Sequence, residues 1–200
     1  MKKKLFVLAV LAIILAGMAS GTVAYFTAKG TAHNVITSGE IDIELVETMK
    51  DGNKEVPYPT NPVGGIMPGT EHSKIVRVEN TGTNPAWVRV KVEAKINGDE
   101  VELTDSSVLR IDFDDTKWIE EDGYYYYADA LVPGGKTATP LFREIHFDGE
   151  GMDNAYQNAR IEINVQAYAT QSQNNPIPAN GDVTDVKGWP KDNILTALLG

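Results

Sequence analysis

The chain reads as an all-β protein, an antiparallel β-sandwich of seven to ten strands with few short helices, on three observations. Apolar and polar residues alternate with period two over its longest regular runs. Dipeptides that supply a positive φ stand between those runs. The composition is that of a globular protein, 42% hydrophobic and 23% charged. It holds no cysteine, so the core is built without disulfides and no thiol nucleophile or Cys-ligated zinc is present. The 18 Lys and Arg against 28 Asp and Glu give a net charge of −10. That balance excludes a nucleic-acid partner, which needs a basic patch to displace counterions.

The first element stands apart from the fold. Lys2, Lys3 and Lys4 precede an unbroken apolar run over residues 5–16, and small residues follow at Gly17, Ala19, Ser20, Gly21, Thr22 and Ala24. This is the layout of a secretory signal peptide over residues 1–25. A retained N-terminal anchor is the alternative, although the apolar core is short against the roughly 20 residues a membrane span needs. Cleavage after Ala19 and cleavage after Ala24 both place small residues at −3 and −1. Without residues 1–25 the chain has 175 residues, and three of the 18 bases are gone, so the charge becomes −13. That length supports one sizeable core.

The strands follow in order. Ile41, Ile43 and Leu45 alternate with Asp42 and Glu44, and Asp51-Gly52 closes the run. Residues 57–69, rich in proline and glycine, form an irregular connection before a weaker strand over 74–79. Ala86, Val88, Val90, Val92, Ala94 and Ile96 alternate with Trp87, Arg89, Lys91, Glu93 and Lys95, one apolar face against one charged face. Asn97-Gly98 then turns the chain toward residues 101–103 as a hairpin. Weaker strands cover 109–113, 124–128 and 141–147, separated by Asp122-Gly123, Pro133-Gly134-Gly135 and Asp148-Gly149. Ile161, Ile163, Val165, Ala167 and Ala169 mark the last strand. Helices fit only at 152–158 and 193–199. The polar stretch 171–190 reads as a tail or linker, so the sandwich domain spans 38–170 and a polar tail 171–200.

Few residues carry a pattern of chemistry. His33, His72 and His146 have no paired spacing, and a solvated or turn histidine accounts for each. There is no GxSxG elbow, P-loop or dinucleotide fingerprint, and no cofactor is expected. Two acidic groups, Asp112, Asp114 and Asp115, and Asp148, Glu150 and Asp153, are candidates for calcium. The second lacks EF-hand spacing, and a solvated acidic turn is the simpler account of both. The run Tyr124 to Tyr127 puts rings on both faces of a strand, and its outward pair with Trp87 and Trp118 could form an adhesive patch. Trp87, Arg89 and Lys91 share one face, where cation–π stacking is available.

At the leader junction the chain reads Gly21-Thr22-Val23-Ala24-Tyr25-Phe26-Thr27, then Asn34-Val35-Ile36-Thr37-Ser38-Gly39-Glu40-Ile41-Asp42-Ile43. Further on come Met67-Pro68-Gly69-Thr70, a strand, Asn80-Thr81-Gly82, and Ala86-Trp87-Val88-Arg89-Val90-Lys91-Val92. Over residues 1–95 this resembles the TasA/camelysin family of Gram-positive exported proteins. The resemblance implies a jelly-roll-like sandwich, cleavage at Ala24, Tyr25 or Phe26 by a SipW-type signal peptidase, and a secreted, extracellular or cell-surface location. It implies a structural role, as a homo-oligomeric fibre of the biofilm matrix or a surface coat, with a sister matrix subunit as a further partner. Subunits of that family join by donor-strand addition, which here assigns residues 26–37 as the assembly strand, with Phe26, Thr27, Ala28, Val35, Ile36 and Thr37 its pairing residues. The segment is short, carries no acid and is rich in β-branched residues, as an added strand should be. Tyr25 departs from the small residue a cut before Phe26 would favour, and the C-terminal half, Trp189 and residues 193–200 included, has no counterpart in the family pattern. No LPxTG-like sorting signal is present. The alternatives are a monomeric secreted module that binds a glycan, calcium or a protein, and a camelysin-type metalloprotease, for which no ligand constellation stands in the sequence.

Overall fold

The computed structural model describes residues 26–29, 33–38, 41–60, 63–66, 68–97, 99–101, 103, 108–152, 156 and 159–190, of which 26–29, 33–38 and 63–66 are described by their backbone alone. Thirteen strands are described: β1 (Phe26–Lys29), β2 (His33–Ser38), β3 (Ile43–Asp51), β4 (Lys54–Pro57), β5 (Val63–Ile66), β6 (Glu71–Asn80), β7 (Ala86–Ile96), β8 (Asp99–Val101), β9 (Leu109–Phe113), β10 (Trp118–Glu121), β11 (Tyr124–Tyr127), β12 (Phe142–Phe147) and β13 (Arg160–Gln171). Eight of them form sheet A in the order β10-β11-β7-β13-β1-β5, with β8 also on β7 and β2 also on β13. Sheet B runs β4-β3-β6-β12-β9. The protein is an all-β sandwich of two packed sheets.

Period-two alternation decides which face each strand buries. In β7 every second residue from Ala86 to Ile96 is buried, and in β13 so are Ile161, Ile163, Val165, Ala167 and Ala169. These two strands are the spine of sheet A, in unbroken antiparallel register from Ile161↔Ile96 to Gln171↔Ala86. Their inner face meets Ile43 and Leu45 of β3, Val76 and Val78 of β6, Leu109 and Ile111 of β9, and Phe142, Ile145 and Phe147 of β12 in one core cluster. Each such side chain contributes about 1.5–3 kcal/mol on burial.

The turn dipeptides fall where the sequence puts them. Asp122 and Gly123, at φ 52° and 76°, close the β10–β11 hairpin with both central residues left-handed, the type I′ pattern that matches strand twist. Asn97 is also left-handed, at φ 55°, between β7 and β8. Asn80-Thr81-Gly82 is a packed corner. Asn80 is fully buried, donates from Nδ2 to the carbonyls of Asn84 (2.8 Å) and Leu131 (2.9 Å), and accepts from the Gly82 amide at 3.0 Å. A Cβ on Gly82 would lie 2.7 Å from the Asp42 nitrogen, which is why glycine stands there.

The sheets are mostly antiparallel, as expected, with β1 and β2 both running parallel to β13. One expectation is corrected. The stretch read as a polar tail packs against sheet A as far as Pro190, and within it Val183–Asp185 form a short 3-10 turn that hydrophobic patterning did not disclose. The signal peptide with Ala24 and Tyr25, most of the helix expected at 152–158, and the one expected at 193–199 lie outside the described residues.

Candidate functional site

The candidate assembly residues converge on one sheet edge. β7 occupies one side of β13, and β1 and β2 occupy the other in turn. β1 pairs Thr27↔Arg160, Ala28↔Ile161 and Lys29↔Glu162. β2 pairs in parallel from Val165↔His33 through Ala167↔Val35, Tyr168↔Ile36 and Ala169↔Thr37 to Thr170↔Ser38. Phe26, Thr27, Ala28, Val35, Ile36 and Thr37 all lie in these two strands, with Phe26 opposite Ile66 of β5. The β-branched run of β2 favours the extended backbone. Between the two strands, at Asn164 of β13, the side-chain Oδ1 is buried with no hydrogen-bond partner among the described residues. The segment that the family resemblance assigns to a neighbouring subunit here completes the sheet of its own chain.

The outer face of sheet A is covered as well. After β13 the chain turns at Ser172, whose amide and hydroxyl both donate to the Pro85 carbonyl. Residues 172–190, hereafter the strap, then cross β7 and β11. Val183 and Val186 are buried against Tyr126, with Trp87, Ile119, Tyr124, Ile177 and Trp189 packed around them. Asp182 caps the 3-10 turn, accepting from the Thr184 amide at 2.8 Å, while its own amide donates to Asp185. Trp87 Nε1 donates to the Asn175 carbonyl at 2.7 Å.

Arg89 lies at the centre of this face. Its guanidinium carbon is 3.8 Å from the Tyr124 ring centroid, 4.9 Å from Trp189, 5.2 Å from Tyr168 and 5.7 Å from Tyr126. Its Nη atoms donate to the Tyr126 hydroxyl and to the Pro190 carbonyl. Arg89 Nε and Trp189 Nε1 are buried without hydrogen-bond partners among the described residues. The expected cation–π contact thus forms, but with Tyr124, Tyr126, Tyr168 and Trp189. The aromatic patch is not free to adhere, since Trp118 and Tyr127 belong to the main core and Tyr126 lies under the strap. Ile177, Val183, Val186 and Trp189 were the signal that this polar stretch packs.

The histidines have particular surroundings. His72 is half-buried beside the Tyr58 ring, and burial, reinforced by the nearby Lys74 charge, pushes its pKa down. Lys74 forms a buried ion pair with Glu47 at 2.6 Å and sits 4.0 Å from the Tyr58 ring centroid. Burial, aided by the Glu47 charge, pushes the Tyr58 hydroxyl up to about 12. His146 bridges two strands, with Nδ1 3.1 Å from Glu71 and Nε2 2.8 Å from Asp112, the latter outside hydrogen-bond alignment. His33 lies in β2.

The acidic groups bind their own turns. Asp114 Oδ1 accepts from the Thr116 and Lys117 amides, and Asp148 Oδ1 from those of Glu150 and Gly151. Asp112 pairs with Arg110. Asp115 is exposed, and Asp153 lies outside the described residues. Among the described residues no three His, Asp or Glu side chains are placed to hold a metal ion. On the flank away from β1 and β2, a cleft of 570 Å³ opens between β9 and β10, lined by Phe113, Trp118, Tyr125, Asp112, Asp114 and Glu120 among others. Comparison of the chain with protein-family models, with curated proteins and with solved structures finds no match.

Proposed function

We propose that this chain is a secreted structural subunit that polymerises by N-terminal strand exchange into extracellular matrix fibres or a cell-surface coat. The resemblance of residues 1–95 to the TasA/camelysin family motivates the reading. The observation that supports it is the pairing of β1 and β2 with the edge of β13. An edge that takes residues 26–38 from its own chain takes the same residues from a neighbour through the same main-chain hydrogen bonds. Exchange of an identical element between copies is a low-cost route to assembly, and passed head to tail it yields an open filament. The hinge is short. β3 begins at Ile43, and the Asp42 carbonyl is already held by the Thr81 and Gly82 amides. Closure within one chain is favoured by effective concentration, about millimolar for a short tether. Polymerisation therefore needs concentrated subunits or an edge emptied during export.

The test compares two purified proteins by electron microscopy and size-exclusion chromatography. The mature chain forms filaments, and a version beginning at Ser38 stays monomeric under the same conditions. Equal assembly of the shortened chain overturns the proposal. A monomeric secreted binding module is the second reading, and the cleft between β9 and β10, with both aromatic and acidic walls, is what favours it. Saturable retention of a monomeric mature chain on a glycan or calcium panel would favour that reading instead.

A further inference from the structure

Both ends of the domain meet on β13. Its inner residues Ala167 and Ala169 face the core, so Tyr168 and Thr170 project to the other face, where Thr170 meets Asn175 of the strap and Tyr168 meets Arg89. Tyr168 is fully buried, with its ring 5.6 Å from that of Tyr124 in edge-on contact and 5.2 Å from the Arg89 guanidinium. Its hydroxyl donates to Gln166 at 2.8 Å. The Thr170 hydroxyl accepts from Asn175 Nδ2 at 3.1 Å, in the first turn of the strap. In register, Tyr168 stands between Ile36 of β2 and Arg89 of β7, and Thr170 between Ser38 of β2 and Trp87 of β7. The β13 residue that bonds the strap directly, Thr170, and the one that reaches it through Arg89, Tyr168, are thus two of those that β2 flanks.

We propose that occupation of the β13 edge and docking of the strap are coupled, each stabilising the other through Tyr168 and Thr170. A strand with an empty edge loses the hydrogen bonds of that side and frays, and its side chains lose their fixed positions. The Arg89 cage needs the Tyr168 ring in place, and the strap closes the cage with Trp189 and the Pro190 carbonyl. The strap pairs with no strand of sheet A. It is held by a small apolar cluster and a few hydrogen bonds, which puts it among the weaker parts of the molecule. Coupling of this kind is reciprocal, so an undocked strap loosens β2 by the factor that an empty edge loosens the strap. For the strand exchange proposed above, on which the biological meaning rests, the strap opens while the edge is empty and closes when any copy of β2 fills it. The coupling itself is intramolecular and does not require filaments.

Hydrogen exchange on the mature chain, resolved by segment, tests this. Trp189→Ala is expected to raise amide exchange over residues 33–38 and 165–170 about tenfold, leaving β3, β6 and β12 of sheet B unchanged. Val35→Pro and Ile36→Pro provide the reverse arm. Successive strand amides point to opposite edges, so one of the two prolines removes a donor to β13. That variant is expected to raise exchange over residues 183–189 by a like factor. Combined with Trp189→Ala, it has less than the product of the two single effects. Unchanged exchange in β2 of the Trp189→Ala protein overturns the proposal, and so does equal acceleration in both sheets or a purely multiplicative double variant. If the proline variants do not fold, Trp189→Ala decides alone, with sheet B as the internal reference. Filaments are scored separately, so that their absence with the coupling intact overturns the assembly reading and leaves this one standing.

Discussion

Lys74 stands where the alternation of β6 calls for an apolar side chain. It shares parity with Val76, Val78 and the buried Asn80, and faces the same side. Its charge is kept there by Glu47, the inward position after Leu45 on β3, and by the Tyr58 ring. Burial lowers the Lys74 pKa while the Glu47 carboxylate opposes that shift. Removing one partner strands the other, so Lys74→Ala is expected to lose about 3–5 kcal/mol in urea unfolding, whereas Lys74→Met with Glu47→Leu is close to neutral. His72 adds a pH dependence. Its pKa is lowered from 6.5 by burial first and by Lys74 second, so below pH 6.5 the unfolded chain binds a proton that the folded chain resists. Stability is complete above 6.5 and falls as the pH drops toward the folded value, and His72→Gln is expected to flatten that limb of a Tm-against-pH curve. Neither feature was legible in the sequence, because counting apolar residues along a strand finds the strand and passes over a charge on its inner face.

At the scale of elements, local chemistry was readable and long-range packing was not. Asp122-Gly123 and Asn97 take left-handed conformations because those residue types bear them, and neighbours along the chain suffice to say so. β7 and β13 were equally plain, since each buries one face along its whole length. The strap was hidden. Its four apolar anchors are spread over residues 177–189 among polar ones, and what they pack on is a sheet face assembled from β7 and β11. The Asn80-Thr81-Gly82 corner lies between these cases, because the turn was visible while the reach of Asn80 to Leu131 was not. Asn80→Asp replaces two amide donors by an acceptor facing the carbonyls of Asn84 and Leu131. The expected cost is about 2 kcal/mol or more, about 5 °C in Tm by calorimetry. Asn80→Ser, smaller and still able to donate once, should fall between the wild type and Asn80→Asp.

For the whole molecule the sequence singles out residues 26–37, and the structure puts β1 and β2 of that segment on the β13 edge of their own chain, because a strand's partner is set by the fold and not by the strand. Electrostatics at this scale separates strand exchange from charge-driven association. Without residues 1–25 the chain carries −13, and copies of it brought together repel. Residues 26–37 hold Lys29 and His33 and no acid, so in the strand exchange proposed above the contact is main-chain hydrogen bonding with one opposite-charge register pair, Lys29 and Glu162. Salt then weakens the opposing force and leaves the favourable one nearly untouched. The screening length falls from about 30 Å at 0.01 M to about 10 Å at 0.1 M, shorter than the width of a small domain. The lag before filament growth, followed by light scattering, is therefore expected to shorten across that range, and to shorten again as carboxylates titrate on lowering the pH toward the isoelectric point, which falls below the 4.7 of the full chain once three lysines are gone. A lag that lengthens with salt would mean that subunits are drawn together by opposite charges, for which the N-terminal segment offers only Lys29, opposite Glu162 in register.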